Sequence, residues 1–116
     1  MKKITIIGLG YVGLPLAIEF SKKFDVLGYD ILKSRVSDLR KGIDTNGEFK
    51  RAEILKNKLT FTSLDKDLKD SNFYIITVPT PLKNNNKPDL IPLKNASNLV
   101  GSKIKKGDII IYESTV

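Results

Sequence analysis

The sequence predicts an α/β fold: a doubly wound parallel sheet of five strands, with helices on both faces in three αβα layers. Three observations predict it. Five short runs, four apolar and one alternating, read as strands, helical stretches separate most of them, and a glycine turn follows the first run directly. Strands that alternate with helical crossovers call for a parallel sheet. The expected strand order is 3-2-1-4-5, which reverses between the first and fourth strands and opens a crevice at their carboxyl ends.

The first strand is carried by Ile4, Ile6 and Ile7, unbroken by charge, as a central strand covered on both faces requires. After the glycine turn comes an amphipathic helix with Val12, Leu16, Phe20 and Phe24 on one face. A second apolar run, residues 26–29, ends at Asp30. Residues 31–41 then read as a helix with Val36 and Leu39 inward and Gly42 as its stop. Thr45 and Glu48 have the spacing of a capping box, so a short helix through about Lys56 is expected. Residues 59–62 alternate as a third strand, and residues 63–70 form a charged crossover. The fourth strand spans residues 73–78 and is stopped by Pro79 and Pro81, which cannot donate to a sheet ladder. A polar, mobile surface loop with Asn84, Asn85 and Asn86 follows. Pro92 suits a first helical turn, and Leu93, Ala96, Val100 and Ile104 make a helical stripe running to Gly107. Residues 108–112 form the last strand and deliver Glu113, Ser114, Thr115 and Val116 to its carboxyl end.

The chemistry concentrates at Gly8, Gly10 and Gly13, which fall on a G-x-G-x-x-G spacing between a strand and a helix. Gly8 permits the sharp turn, Gly10 lets a pyrophosphate approach bare backbone, and Gly13 lets the helix pack close to the strand. The unpaired amides of the first helical turn then make an anion site. Asp30 lies 22 residues beyond Gly8, where a dinucleotide-binding fold of Rossmann type presents a carboxylate to the adenosine ribose hydroxyls. The Gly8–Gly13 turn, Asp30, residues 77–81 and residues 114–116 all fall on one rim of the predicted sheet.

Bulk properties bound the function classes. At 116 residues the chain is expected to be a single domain over residues 1–116, burying about two thirds of its unfolded surface. No apolar run approaches the ~20 residues of a membrane span, and no signal peptide is visible, so cytoplasm is the default. There is no cysteine and no histidine, which removes a disulfide framework, the usual zinc sites and the commonest general base. The formal charge of +7 raises a nucleic-acid partner. The residues argue against one, because Arg35, Arg40 and Arg51 are the only arginines and the lysines are scattered among acidic groups.

Four motifs in order, IGLGYVGLPLA (residues 7–17), TVPTP (77–81), PDLIPL (88–93) and YESTV (112–116), resemble the UDP-glucose/GDP-mannose dehydrogenases, specifically their N-terminal NAD-binding domain. The resemblance covers essentially the whole chain. The Leu14-Pro15 pair, the second proline of TVPTP and the YESTV wording look most like the branch that oxidises UDP-N-acetylhexosamines to uronic acids for polysaccharide, capsule or O-antigen precursors. Such an enzyme takes the C6 alcohol of a nucleotide sugar through an aldehyde to a carboxylate with two NAD⁺. A cysteine in a later domain attacks the aldehyde. No cysteine occurs here, so the resemblance implies a fragment of a longer enzyme, inactive alone, whose UDP-sugar site lies in further domains and whose parent is a homodimer or larger.

The resemblance also implies residue roles. Gly8, Leu9, Gly10, Tyr11, Val12 and Gly13 match the pyrophosphate turn, Asp30 the ribose ligand, and Arg35 an arginine lying along the adenosine. Val78, Pro79 and Thr80 match the segment passing the nicotinamide-side ribose, although Pro79 replaces an asparagine of some relatives and so removes an N–H donor. Ser114 and Thr115 complete the cofactor set, and Thr115 matches a threonine near the reacting carbon. A regulatory nucleotide-sensing module, of the kind attached to ion channels, is the second reading. It accounts for the turn and Asp30 but gives no reason for TVPTP or YESTV.

Overall fold

The computed structural model describes residues 2–113, so the expected roles of Ser114 and Thr115 lie outside the described residues. The chain runs β1 (Lys3–Ile7), α1 (Gly13–Phe20), β2 (Asp25–Tyr29), α2 (Lys33–Arg40), α3 (Arg51–Ile54), β3 (Leu59–Thr62), a 3₁₀ turn (Asp65–Asp67), β4 (Phe73–Ile76), α4 (Ile91–Gly101) and β5 (Ile109–Tyr112). All strand pairs are parallel, and the sheet order is β3-β2-β1-β4-β5. This is the predicted topology, with its reversal between β1 and β4.

Strand alternation sorts the core into two layers. Ile4 and Ile6 face one side with Val26, Phe61 and Ile75, against Leu14, Ala17 and Ile18 of α1, Val36 and Leu39 of α2, and Ile54 of α3. Ile7 faces the other side with Leu27, Tyr74 and Ile76, against Ala96 and Val100 of α4. Thr5, buried in mid-sheet, is satisfied by the Ser71 hydroxyl. β1 is therefore covered on both faces, and its carboxyl end emerges where no neighbouring strand continues.

Several elements differ from expectation. The buried face of α1 is Leu14, Ala17 and Ile18, while Leu16, Phe20 and Phe24 pack partly buried at its margin and Val12 is exposed. The expected capping box at Thr45 and Glu48 does not form. Gly47 adopts φ +74°, outside helical space, and the Glu48 amide donates to Asp44 instead. The helix begins later, at Arg51, where the Glu53 carboxylate accepts the Lys50 amide at 2.9 Å. β4 ends at Ile76, two residues before the expected end, although the Thr77 amide still donates to Ile7 O at 2.8 Å. α4 ends at Gly101, leaving Ile104 beyond the helix. The asparagine loop is closed into a small hairpin by a Leu82–Pro88 bridge and by the Lys83 amide donating to Lys87 O.

Candidate functional site: the crevice above β1, β2 and β4

The turn leaving β1 is built by contacts that only glycine allows. Gly8 has φ +100°, and its amide donates to Tyr29 O at 2.8 Å, tying the turn to the end of β2. A Cβ at Gly13 would lie 1.7 Å from Gly8 O, so the start of α1 rests directly on the turn. Thr77, just past β4, holds the turn from below. Its hydroxyl donates toward Gly8 O at 2.6 Å, with Ile7 O 3.1 Å away. Gly10 is the opposite case: a Cβ there would meet no protein atom within 4 Å. The open ground over Gly10 is the surface a diphosphate needs if it is to touch bare backbone, and this backbone cradle fits a dinucleotide.

Leu9 is fully buried, with its side chain against Gly28, and both of its backbone polar groups are taken by predicted site residues. Its amide donates to Asp30 Oδ2 at 2.9 Å. Its carbonyl accepts Arg35 Nε at 2.9 Å and Nη2 at 2.8 Å. Asp30 also accepts the Leu32 amide at 2.9 Å through Oδ1. A carboxylate offers about four acceptor positions, so capacity remains for hydroxyl donors. Tyr29 anchors the strand beneath it by donating to Asp65 at 2.9 Å. Burial first, and then that hydrogen bond, push the Tyr29 phenol up to about 12.

The remaining predicted residues that the structure describes line the same rim. Tyr11 and Val12 are exposed at the head of α1, with Ile31 and Leu32 exposed beyond Asp30. Val78 packs on the α4-side core, followed by exposed Pro79 and half-buried Thr80. Sequence reasoning missed one group that reaches the turn. Asp44, whose side chain is buried, forms an ion pair with Arg35 at 2.8 Å and accepts the amides of Asn46, Glu48 and Phe49. Burial raises its pKa, but Arg35 and the amide donors outweigh that and hold the carboxyl below its ordinary value. The available signal was the Asp-x-Asn-Gly string, a turn in which an aspartate binds the amide two residues on.

A separate groove of about 490 Å³, lined by Lys33, Ser37, Arg40 and Ser63 among others, lies along α2 and does not include the glycine turn. Among the described residues there is no cluster of metal-ligating side chains, and no helix is long and apolar enough to cross a membrane.

Residues 2–116 match the family model described as the UDP-glucose/GDP-mannose dehydrogenase family, NAD binding domain. The chain is 51% identical over 115 residues to the UDP-N-acetyl-D-glucosamine 6-dehydrogenase of Pseudomonas aeruginosa, covering 98% of this chain and 27% of that protein. It is similar to the structure of a UDP-D-ManNAc dehydrogenase from Pyrococcus horikoshii, with TM-score 0.87 and 38% identity over 98% of this chain and 28% of that one. It is also similar to the GDP-mannose dehydrogenase of Pseudomonas aeruginosa, solved as a ternary complex, with TM-score 0.85 and 27% identity over 97% and 28% of the two chains. The chain thus spans about a quarter of the length of these relatives.

Proposed function

We propose that this chain, which belongs to the UDP-glucose/GDP-mannose dehydrogenase family as its NAD-binding domain, is the cofactor-holding part of an enzyme that oxidises C6 of a UDP-N-acetylhexosamine to a uronic acid. One observation carries the reading furthest. Asp30 accepts the Leu9 amide within the glycine turn itself, so the carboxylate and the open backbone at Gly10 belong to one rigid unit. Such a unit suits an adenosine diphosphate, whose ribose and diphosphate are covalent neighbours. The 51% identity to a UDP-N-acetyl-D-glucosamine 6-dehydrogenase supports the choice of sugar class. The regulatory-module reading finds no support in the family match.

In this reading Gly8 to Gly13 hold the diphosphate, Asp30 accepts the adenosine ribose hydroxyls, and Arg35 lies beside the adenosine. Val78, Pro79 and Thr80 would border the nicotinamide-side ribose, while Ser114 and Thr115, which the sequence assigns to the cofactor site, lie outside the described residues. NAD⁺ supplies the hydride acceptor when bound. The chain's own contribution is orientation. Asp30 and the first turn of α1 would hold the adenosine diphosphate, and Val78, Pro79 and Thr80 past the end of β4 would border the nicotinamide half. A carboxylate at Asp30 attracts two hydroxyls but repels a 2′-phosphate, so NAD⁺ is preferred over NADP⁺. Calorimetric titration checks this: the unmutated chain should bind NAD⁺ more tightly, and Asp30→Ala should weaken NAD⁺ and reduce the difference. Equal affinities in the unmutated chain would remove Asp30 from the ribose site.

A further inference from the structure

Leu9 is gripped at both ends of its backbone, its amide by Asp30 and its carbonyl by the fork of Arg35. The peptide joining Leu9 to Gly10 is planar and trans, so holding the Leu9 carbonyl toward Arg35 aims the Gly10 N–H the opposite way. Arg35 is therefore in a position to set the direction of an amide in the open part of the turn. An arginine side chain has many rotamers, and two bonds to a single carbonyl do not select one of them unaided.

The missing constraint comes from Asp44. It lies in the segment between α2 and α3, with a side chain that is 0% exposed against 9% for Arg35. Its Oδ1 accepts Arg35 Nη1 at 2.8 Å and the Asn46 amide at 3.0 Å, and its Oδ2 accepts the Glu48 and Phe49 amides at 3.0 and 3.2 Å. A buried carboxylate bonded this fully stays ionised and fixed in place. It anchors one edge of the guanidinium, and the planar fork directs the other edge at Leu9 O.

We propose that Asp44 is a positioning residue for dinucleotide binding: acting through Arg35, it fixes the Leu9–Gly10 peptide and hence the amide that the turn presents to the diphosphate. The inference rests on reading residues 8–13 as the pyrophosphate turn. It assigns the segment 44–49 a function beyond connecting two helices, because that segment folds its own amides around the carboxylate that holds Arg35.

The test is a double-mutant cycle read by calorimetric titration of NAD⁺ into the unmutated chain, Asp44→Asn, Arg35→Met and the double variant. Asp44→Asn keeps the size of the side chain but turns either a neutral oxygen or an amide toward Arg35. It should weaken NAD⁺ binding by about five- to tenfold with an unchanged far-ultraviolet circular dichroism spectrum, and should add almost nothing in the Arg35→Met background. An equal loss in both backgrounds, or no loss at all, overturns the inference, since a purely structural Asp44 does not depend on Arg35. If Asp44→Asn fails to fold, NMR of the unmutated chain decides. The Arg35 Nε–H should exchange slowly and correlate with the Leu9 carbonyl carbon, whereas rapid exchange would overturn the inference. The NMR readout does not depend on NAD⁺, so failure of the unmutated chain to bind NAD⁺ beside a protected Nε–H would locate the error in the reading of the turn, and the inference would fall with it.

Discussion

At the scale of single residues, Gly10 and Gly13 share a motif and differ in physical role. A Cβ at Gly13 would sit 1.7 Å from Gly8 O and 2.4 Å from the Thr77 hydroxyl, both part of the turn's own support. Nothing there can yield without moving α1 away from β1. Gly13→Ala should therefore cost about 3 kcal/mol or more of stability, at the upper end of overpacking effects. At Gly10 a Cβ meets no protein atom within 4 Å, and the residue is not among those with positive φ. Gly10→Ala should fold with an unchanged melting temperature, yet bind NAD⁺ about tenfold more weakly, because in the proposed reading the methyl group stands where the diphosphate touches backbone. Thermal melts and titrations of the two variants check the contrast. A Gly10→Ala variant that melts like Gly13→Ala would mean that both glycines serve packing.

At the scale of elements, the end of β2 carries a prediction about pH. The Tyr29 phenol has its pKa raised from 10.0 to about 12 in the folded chain, by burial and then by its bond to Asp65. A raised folded value means that the native state holds the proton more tightly than the unfolded chain does. The associated stability is fully present below pH 10 and is lost as pH rises toward about 12. Denaturant midpoints measured across this window should fall, and Tyr29→Phe should flatten the part of that fall owed to the phenol. Elements also mark how far the sequence was legible. Strand order could be read because short apolar or alternating runs mark the strands and each crossover must be right-handed. The inward face of α1 could not, because GLPLAIEF is apolar almost all round, and a 3.6-residue period selects no face in such a helix. The capping box at Thr45 and Glu48 failed for a tertiary reason. Asp44 takes the amides of Asn46, Glu48 and Phe49 for itself, and its partner Arg35 lies on another element. Asp30 was legible because a fixed spacing from the glycine turn places it; Asp44 has no such fixed spacing to announce it.

At the scale of the whole molecule, the described chain supplies one wall of a crevice. The turn, Asp30 and the end of β4 rise from the carboxyl edge of the sheet, and β5 lies at its margin with Ile109 and Tyr112 about half exposed. Binding and chemistry make different demands on such a wall. In the proposed reading adenosine diphosphate binding needs the glycine turn and the acceptor at Asp30, which are held by the end of β2, by Arg35 of α2 with its partner Asp44, and by Thr77 just past β4. Hydride transfer needs the sugar carbon held within about 3–3.5 Å of its acceptor in a site closed to water. The second oxidation in the proposed reaction further calls for a nucleophile, and the 116 residues contain no cysteine to act as one. The 116-residue chain should therefore bind NAD⁺ without turning over UDP-N-acetylglucosamine or UDP-N-acetylmannosamine. Incubation with NAD⁺ and each sugar nucleotide, followed by NADH absorbance, checks this against a no-protein control. Sustained NADH formation would place the sugar site and the groups for at least the first oxidation within these residues, and more than one NADH per sugar would require a nucleophile other than a thiol for the second step.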